Sequence, residues 1–252
     1  MALLQQLVDE DSNKIVGILG GKGRNILINQ LAMEAANHKK RVIITHINGH
    51  ILPPSGHISY NADENKLIGQ IKREFDNEPV IYAAKSLDDH FVRGVSTDFV
   101  QRLKNLPGLD IIFLILGNAS RLSILARKDI SRIIGLNFLD RLIYCFQFDL
   151  INQPLNQEVV KDPDAFLKNF PRYKSEKIFH QDMMTDYLTD SKNGAFRLFQ
   201  QKWPVLLVLT DINNVLLENR CIALARNLSA KGIEHIFQAN LKDNIVKRIP
   251  AR

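Results

Sequence analysis

Cysteine is scarce in this chain. Only Cys145 and Cys221 occur in 252 residues, and both sit inside apolar periodic segments. A disulfide framework is therefore excluded, and buried reduced thiols are expected. Tryptophan occurs once, and no apolar run is long enough to cross a bilayer: Ile111–Leu116 and Val205–Leu209 are strand-sized. The first residues, MALLQQLVDEDS, carry no basic segment ahead of their apolar positions. They predict no secretory leader and a cytoplasmic location. Repeats, low-complexity tracts and separating linkers are also missing, which excludes solenoids and disordered chains.

What is present is ordinary globular composition, with 45% hydrophobic and 24% charged residues. Lys plus Arg at 33 against Asp plus Glu at 27 give a net charge of +6 and a pI near 9.3. This charge suits anionic partners such as nucleotides. It is spread along the chain, with local enrichment at Lys242, Lys247, Arg248 and Arg252. Basic and aromatic residues mix at Phe170, Tyr173, Lys174, Lys177 and Phe179, but no helix-turn-helix or RNA-recognition signature accompanies them. Nucleic acid and membrane are not the expected partners.

Short β-branched runs alternate with stretches of helical period. The strand candidates are Lys14–Leu19, Arg41–Ile47, Pro79–Ala83, Asp110–Leu116, Leu142–Phe148, Pro204–Leu209 and His235–Gln238. Helices are expected over Ile26–His38, Glu64–Phe75, Thr97–Asn105 and Asn214–Lys231. Strands apolar throughout, alternating with helices, predict an α/β fold with a mostly parallel sheet covered on both faces. Residues 153–202 are richer in Asp, Lys, Gln and Pro and read as a mainly helical insertion within one domain spanning 1–252.

The first strand leads through glycines into a helix, the arrangement that presents backbone N–H groups and a helix dipole to an anion. The expected phosphate- or nucleotide-binding residues are Gly17, Gly20, Gly21, Lys22, Gly23, Arg24 and Asn25, with Lys22 supplying a point charge. The spacing departs from a working P-loop. Gly17 stands one position too close to Lys22, and Gly23 and Arg24 replace the hydroxyl that would hold magnesium. A glycine turn kept for tight packing is the competing reading.

In parallel sheets, ligands sit at the C-terminal ends of strands. That rule gathers Thr45, His46, His50, Asn118, Ser120, Arg121 and Asp211 as pocket candidates. His46, His50 and His57, with Asp63, are potential zinc ligands, but their spacing matches no zinc signature, so no metal is predicted. Ser120 is not in a nucleophile elbow, and Cys145 has no thiol partner. No catalytic residue is assigned.

With these segments in view, the chain resembles the selenium-dependent hydroxylase accessory proteins, the YqeC-like family. Gly20-Gly21-Lys22 matches the first half of that family's GGK-Thr-Thr loop. RVIITHINGHILPP (41–54) follows the next strand, keeping Thr45 of a threonine run. HFVRGVSTDFVQRL (90–103) is similar to the family's Arg-Gly-Leu-Ser segment. Ser120-Arg121 matches the end of Glu-Ala-Asp-Gly-Ser-Arg, whose acids are here Leu116 and Asn118. DRLIYCFQFDLINQPL (140–155) keeps Asp149 and Pro154. Asp211 remains of an Asn-Lys-x-Asp motif, with Val208 and Leu209 in place of Asn and Lys.

The resemblance covers nearly the whole chain in order. It implies a P-loop-like fold and a role in maturing a selenium-dependent molybdenum hydroxylase, which would be the client protein. Loss of the hydroxyl and both acids removes the groups that seat magnesium beside a nucleotide. Two readings follow: a nucleotide-dependent accessory enzyme, or a non-catalytic binding or scaffolding module. Magnesium-dependent hydrolysis is not expected in either form of the degenerate site.

Overall fold

The computed structural model describes residues 3–8, 14–21, 23–47, 50–51, 56–88, 91–117 and 124–250. Tertiary contacts divide the chain into two compact units: Met1–Ile18, Leu27–Ala119 and Phe138–Arg141 in the first, Leu19–Ile26, Ser120–Asn137 and Leu142–Arg252 in the second.

The first unit contains α1 (Leu3–Leu7), most of β1 (Ile15–Gly20), the body of α2 (Gly23–Asn37), β2 (Val42–His46), β3 (His50–Ile51), β4 (Ile58–Tyr60) and α3 (Glu64–Glu74). It continues with β5 (Val80–Ala84), β6 (Ser86–Leu87), β7 (Val92–Arg93), α4 (Thr97–Leu103) and β8 (Ile111–Ile115). Five strands pair in the order β1-β8-β2-β5-β4, all parallel. Every residue of β1, β2 and β8 is buried, which is why these strands read as unbroken apolar runs rather than alternating ones. β3, β7 and β6 form a small antiparallel sheet.

Acidic side chains fix where the first unit's strands begin. Asp110 accepts from the Arg41 amide at 2.8 Å. Asp140 accepts from the Ile15 amide at 2.9 Å and from Lys104 Nζ at 2.8 Å. Helix starts follow the same logic. Asp63 caps α3 through the Asn65 and Lys66 amides, and Ser96 caps α4 through the Phe99 amide, each satisfying a helix N–H that has no intrahelical partner. Glu64 then accepts from the amide and hydroxyl of Ser96, at 2.8 and 2.7 Å, tying the two helix starts together.

The second unit contains α5 (Arg127–Ile134), β9 (Arg141–Gln147), β10 (Gln153–Pro154), α6 (Pro163–Asn169), β11 (Ile178–Phe179), α7 (Gln181–Thr189) and α8 (Ala195–Gln200). β12 (Val205–Thr210), α9 (Val215–Ala230), β13 (Ile236–Asn240) and β14 (Ile245–Ile249) complete it. β9, β12 and β13 are parallel, and β14 returns antiparallel beside β13. Residues 153–202 hold α6, α7, α8 and the short antiparallel β10–β11 pair.

Aromatic packing joins this helical segment to the unit's strands. Phe166 lies 6.2 Å from both Phe179 and Tyr187, ring centre to ring centre. Tyr144 on β9 meets Phe199 edge-on at 6.0 Å, the geometry that aligns a positive ring edge with a negative ring face. The buried hydroxyls are paired: Tyr144 with Tyr187 at 3.0 Å, and Tyr187 with the Leu125 amide at 2.9 Å.

The fold is thus α/β, built on a mostly parallel sheet with helices around it, as the run pattern predicts. α1, α5, β3, β4, β6, β7 and the β10–β11 pair form where the sequence reading places no helix or strand, and two further elements differ from it. α2 starts at Gly23, three residues before the expected Ile26. β14 was not foreseen, because its residues are largely exposed and carry Lys247 and Arg248, so the segment reads as a basic tail.

Candidate functional site

The strand-to-helix junction expected to hold an anion lies in the second unit from Leu19 to Ile26. Gly17 is part of β1 itself, paired in register with Leu114. β1 runs on to Gly20, so only Gly21 and Lys22 separate it from α2. Gly20 has φ +120°, and a Cβ there would penetrate the Cys145 carbonyl of β9. Both facts demand glycine. The Gly21 amide donates to that same carbonyl at 3.3 Å, and the Arg24 amide closes the turn on the Gly21 carbonyl at 3.1 Å. A Cβ on Gly23 would stand 2.9 Å from Leu241 Cδ1 and 3.0 Å from Thr210 Cγ2. The glycines therefore serve close packing on the sheet as well as a tight turn.

Around this turn polar groups gather at the C-terminal ends of β9 and β12. Gln147 and Thr210 are register partners, and both are buried. Thr210 donates its hydroxyl to Asp211 at 3.0 Å. Asp211 follows the strand with φ +66°, a left-handed conformation that is uncommon for a residue with a side chain and is a reason to look for function there. Arg24, in the first turn of α2, is 5% exposed, and its Nε donates to Asn25 at 3.3 Å. Burial pushes the Cys145 thiol up to about 12, the positive Arg24 opposing the shift and the Asp211 charge adding to it. The thiol is protonated at neutral pH and is no nucleophile.

Gly20, Gly21, Gly23, Arg24, Asn25 and Asp211 thus belong to one unit. Lys22, Asn118, Ser120 and Arg121 lie outside the described residues. Thr45, His46 and His50 belong to the first unit, where the first two have structural partners. Thr45 is fully buried and donates to the Ala83 carbonyl at 2.8 Å. His46 is 1% exposed, with Nδ1 2.7 Å from the Tyr82 hydroxyl. His50 is placed by its backbone in β3, opposite Arg93.

The other potential zinc ligands have different work. His57 Nε2 meets Glu74 at 3.1 Å, and Asp63 caps α3. Among the described residues no three His, Cys, Asp or Glu side chains are grouped to hold a metal, and no helix is long and apolar enough to cross a membrane. Sequence reasoning missed Gln147 and the burial of Arg24. Neither has a local signal, since a polar residue ending an apolar strand and an arginine after glycine both look solvent-facing.

Chemically, the junction offers a helix N-terminus, a buried guanidinium and a strained acid. It offers no hydroxyl directly after Lys22. A helix N-terminus and a guanidinium favour an anion, and the Asp211 carboxylate opposes one.

No family model matches the sequence, and no curated protein matches it. Among solved structures the chain is similar to a GTPase from Pyrococcus abyssi in its apo form, at 9% identity, covering 92% of each chain with a TM-score of 0.42.

Proposed function

We propose that this chain is a P-loop-like, phosphate- or nucleotide-binding α/β protein that does not turn its ligand over. The observation that carries this reading is the Gly20-Gly21-Lys22 junction between a buried parallel strand and α2, with Arg24 buried in the first helical turn. Helix N-termini favour anions, and a guanidinium matches phosphate oxygens in a planar fork.

The short turn supports the non-catalytic form. Two residues are too few to wrap a triphosphate, and the Gly21 amide is already engaged by Cys145. Gly23 and Arg24 stand where a magnesium-binding hydroxyl is needed, and a guanidinium there repels the metal. The finer reading rests on the ordered resemblance to the YqeC-like family: an accessory role in maturing a selenium-dependent molybdenum hydroxylase, with that enzyme as client and one domain carrying the whole function.

Calorimetric titration with ATP and GTP, with and without magnesium, tests the proposal. Metal-independent binding with negligible hydrolysis is expected, and Lys22→Ala should weaken binding without changing the background hydrolysis. Magnesium-dependent turnover abolished by Lys22→Ala would overturn it and restore the enzyme.

A further inference from the structure

A recess of about 210 Å³ opens in the second unit between the start of α9 and the β13–β14 pair. Its wall includes Gln238 and Glu218, and its rim includes Val215, Ile245 and Lys247. Gln238 is 8% exposed, and its Nε2 donates to Glu218 Oε1 at 2.7 Å. A carboxylate only accepts, so this bond fixes which way the amide faces. The Gln238 carbonyl oxygen is left enclosed with no hydrogen-bond partner among the described residues. An enclosed acceptor without a donor is costly, and a ligand that supplies one recovers the loss.

One cation already samples this wall. Lys247, 61% exposed, approaches the same Glu218 oxygen at 3.5 Å. Charge-assisted N–H···O bonds close to roughly 2.7–2.9 Å when well made, so this contact is loose. The Gln238 amide and the Lys247 charge together hold the Glu218 carboxyl below its ordinary value. The helix start does not make this an anion site, because Asn214 satisfies the Leu217 amide at 2.9 Å and Glu218 brings negative charge to the first turn.

We propose that this recess binds a guanidinium group, carried by a small free cation or by an arginine side chain of a partner. An ammonium is a point charge and answers Glu218 alone. A guanidinium carries five donors in a plane, so it can serve the Glu218 carboxylate and, once a small rotation of the Gln238 side chain uncovers its carbonyl, that oxygen as well. Its flat faces suit the apolar rim, where Val215 is 72% and Ile245 43% exposed. Lys247 then acts as the internal competitor that the ligand displaces.

Titration of the full chain with agmatine tests this, beside putrescine as a guanidinium-free control and N-acetyl-arginine amide as the side-chain mimic. Saturable agmatine binding is expected. Glu218→Gln and Gln238→Leu should each weaken it about tenfold or more, and Lys247→Met, at an exposed position, should tighten it several-fold. Binding of the arginine amide as tight as agmatine assigns the site to a protein partner; preference for agmatine assigns it to a free cation. Putrescine binding as tightly as agmatine would overturn the proposal. So would no saturable binding to either the native chain or Lys247→Met, or affinities that neither Glu218→Gln nor Lys247→Met alters.

Discussion

In the first unit the polar residues at the strand ends satisfy one another: Thr45 donates to the Ala83 carbonyl, and His46 pairs with Tyr82. In the second unit the corresponding strand ends are shaped by close approach as well as by the Thr210–Asp211 hydrogen bond. Gly20 lies against the Cys145 carbonyl, Gly23 against Thr210 and Leu241, and Asp211 holds a left-handed conformation. The first arrangement uses a hydroxyl and an imidazole in internal hydrogen bonds. The second keeps a helix N-terminus, a buried guanidinium and an acid at one turn. Strain and close approach persist where surrounding structure enforces them, and such places are where function is sought first.

The comparison predicts very different tolerance to one added methyl or one lost hydroxyl. Gly20→Ala combines a positive φ with an overlap against backbone, which no side-chain movement relieves. Loss of about 4 kcal/mol or more is expected, in the range that only a few mechanisms reach. Thr45→Val removes a hydroxyl but keeps shape, leaving the Ala83 carbonyl unanswered, so about 1–2 kcal/mol is expected. Urea unfolding of both variants measures the contrast. A Gly20→Ala protein as stable as Thr45→Val would remove the distinction between the two kinds of strand end.

How much of this was readable beforehand divides along the same line. Strands such as Ile111–Ile115 and Val205–Thr210 are buried on both faces, and burial on both faces writes a continuous apolar run into the sequence. β14 has no such run, since a mostly exposed edge strand keeps its Lys and Arg. The start of α2 was misplaced because glycine is a poor helix former, and only the contacts of Gly23 with Thr210 and Leu241 show why it stands there. The glycine junction was legible as a special turn. Tight packing stands among its two sequence readings, but the packing partner could not be named, because Gly20 and Cys145 are distant in sequence. The same holds for Gln238 and Glu218, twenty residues apart, and for His46 and Tyr82, thirty-six apart.

The units also differ in what pH does to them. Every thiol or phenol with a resolved upward shift belongs to the second unit. Burial pushes Cys145, Cys221 and Tyr187 up to about 12, and Tyr144 well above its ordinary value. In each case the folded state retains a proton that the unfolded chain releases at 9 for the thiols and 10 for the tyrosines. Stability from these groups is therefore complete below pH 9 and falls as pH rises from 9 towards 12, because the native state then binds more protons. Denaturant titrations should show a decline beginning near pH 9, and Cys221→Ala should soften its first part. At pH 8, where no decline is due, thiol reagents should modify Cys145 only at the rate of unfolding; fast labelling of folded protein would contradict its burial.

The smallest expected effect belongs to the first unit and lies on the acid side. Desolvation tends to raise the Glu74 carboxyl, yet hydrogen bonds from Gln70 and His57 outweigh it and hold the group below its ordinary 4.5. The Gln70 Nε2 bond is 2.9 Å and the His57 Nε2 contact 3.1 Å. A carboxyl with a lowered native value contributes stability that is fully present above pH 4.5. That contribution is lost as pH falls through the lower, folded value, where the native state at last takes up its proton. Glu74→Gln keeps the shape and removes the titration. The pair is partly exposed, with side chains 36% and 22% accessible, so solvent screening limits the loss at neutral pH to about 1 kcal/mol or less. The clearer signature is the slope: the variant should lose less stability than the native chain between neutral pH and pH 4. Equal slopes would mean that the His57–Glu74 contact contributes nothing to the acid limb, and that the first unit's polar pairs are geometric rather than energetic.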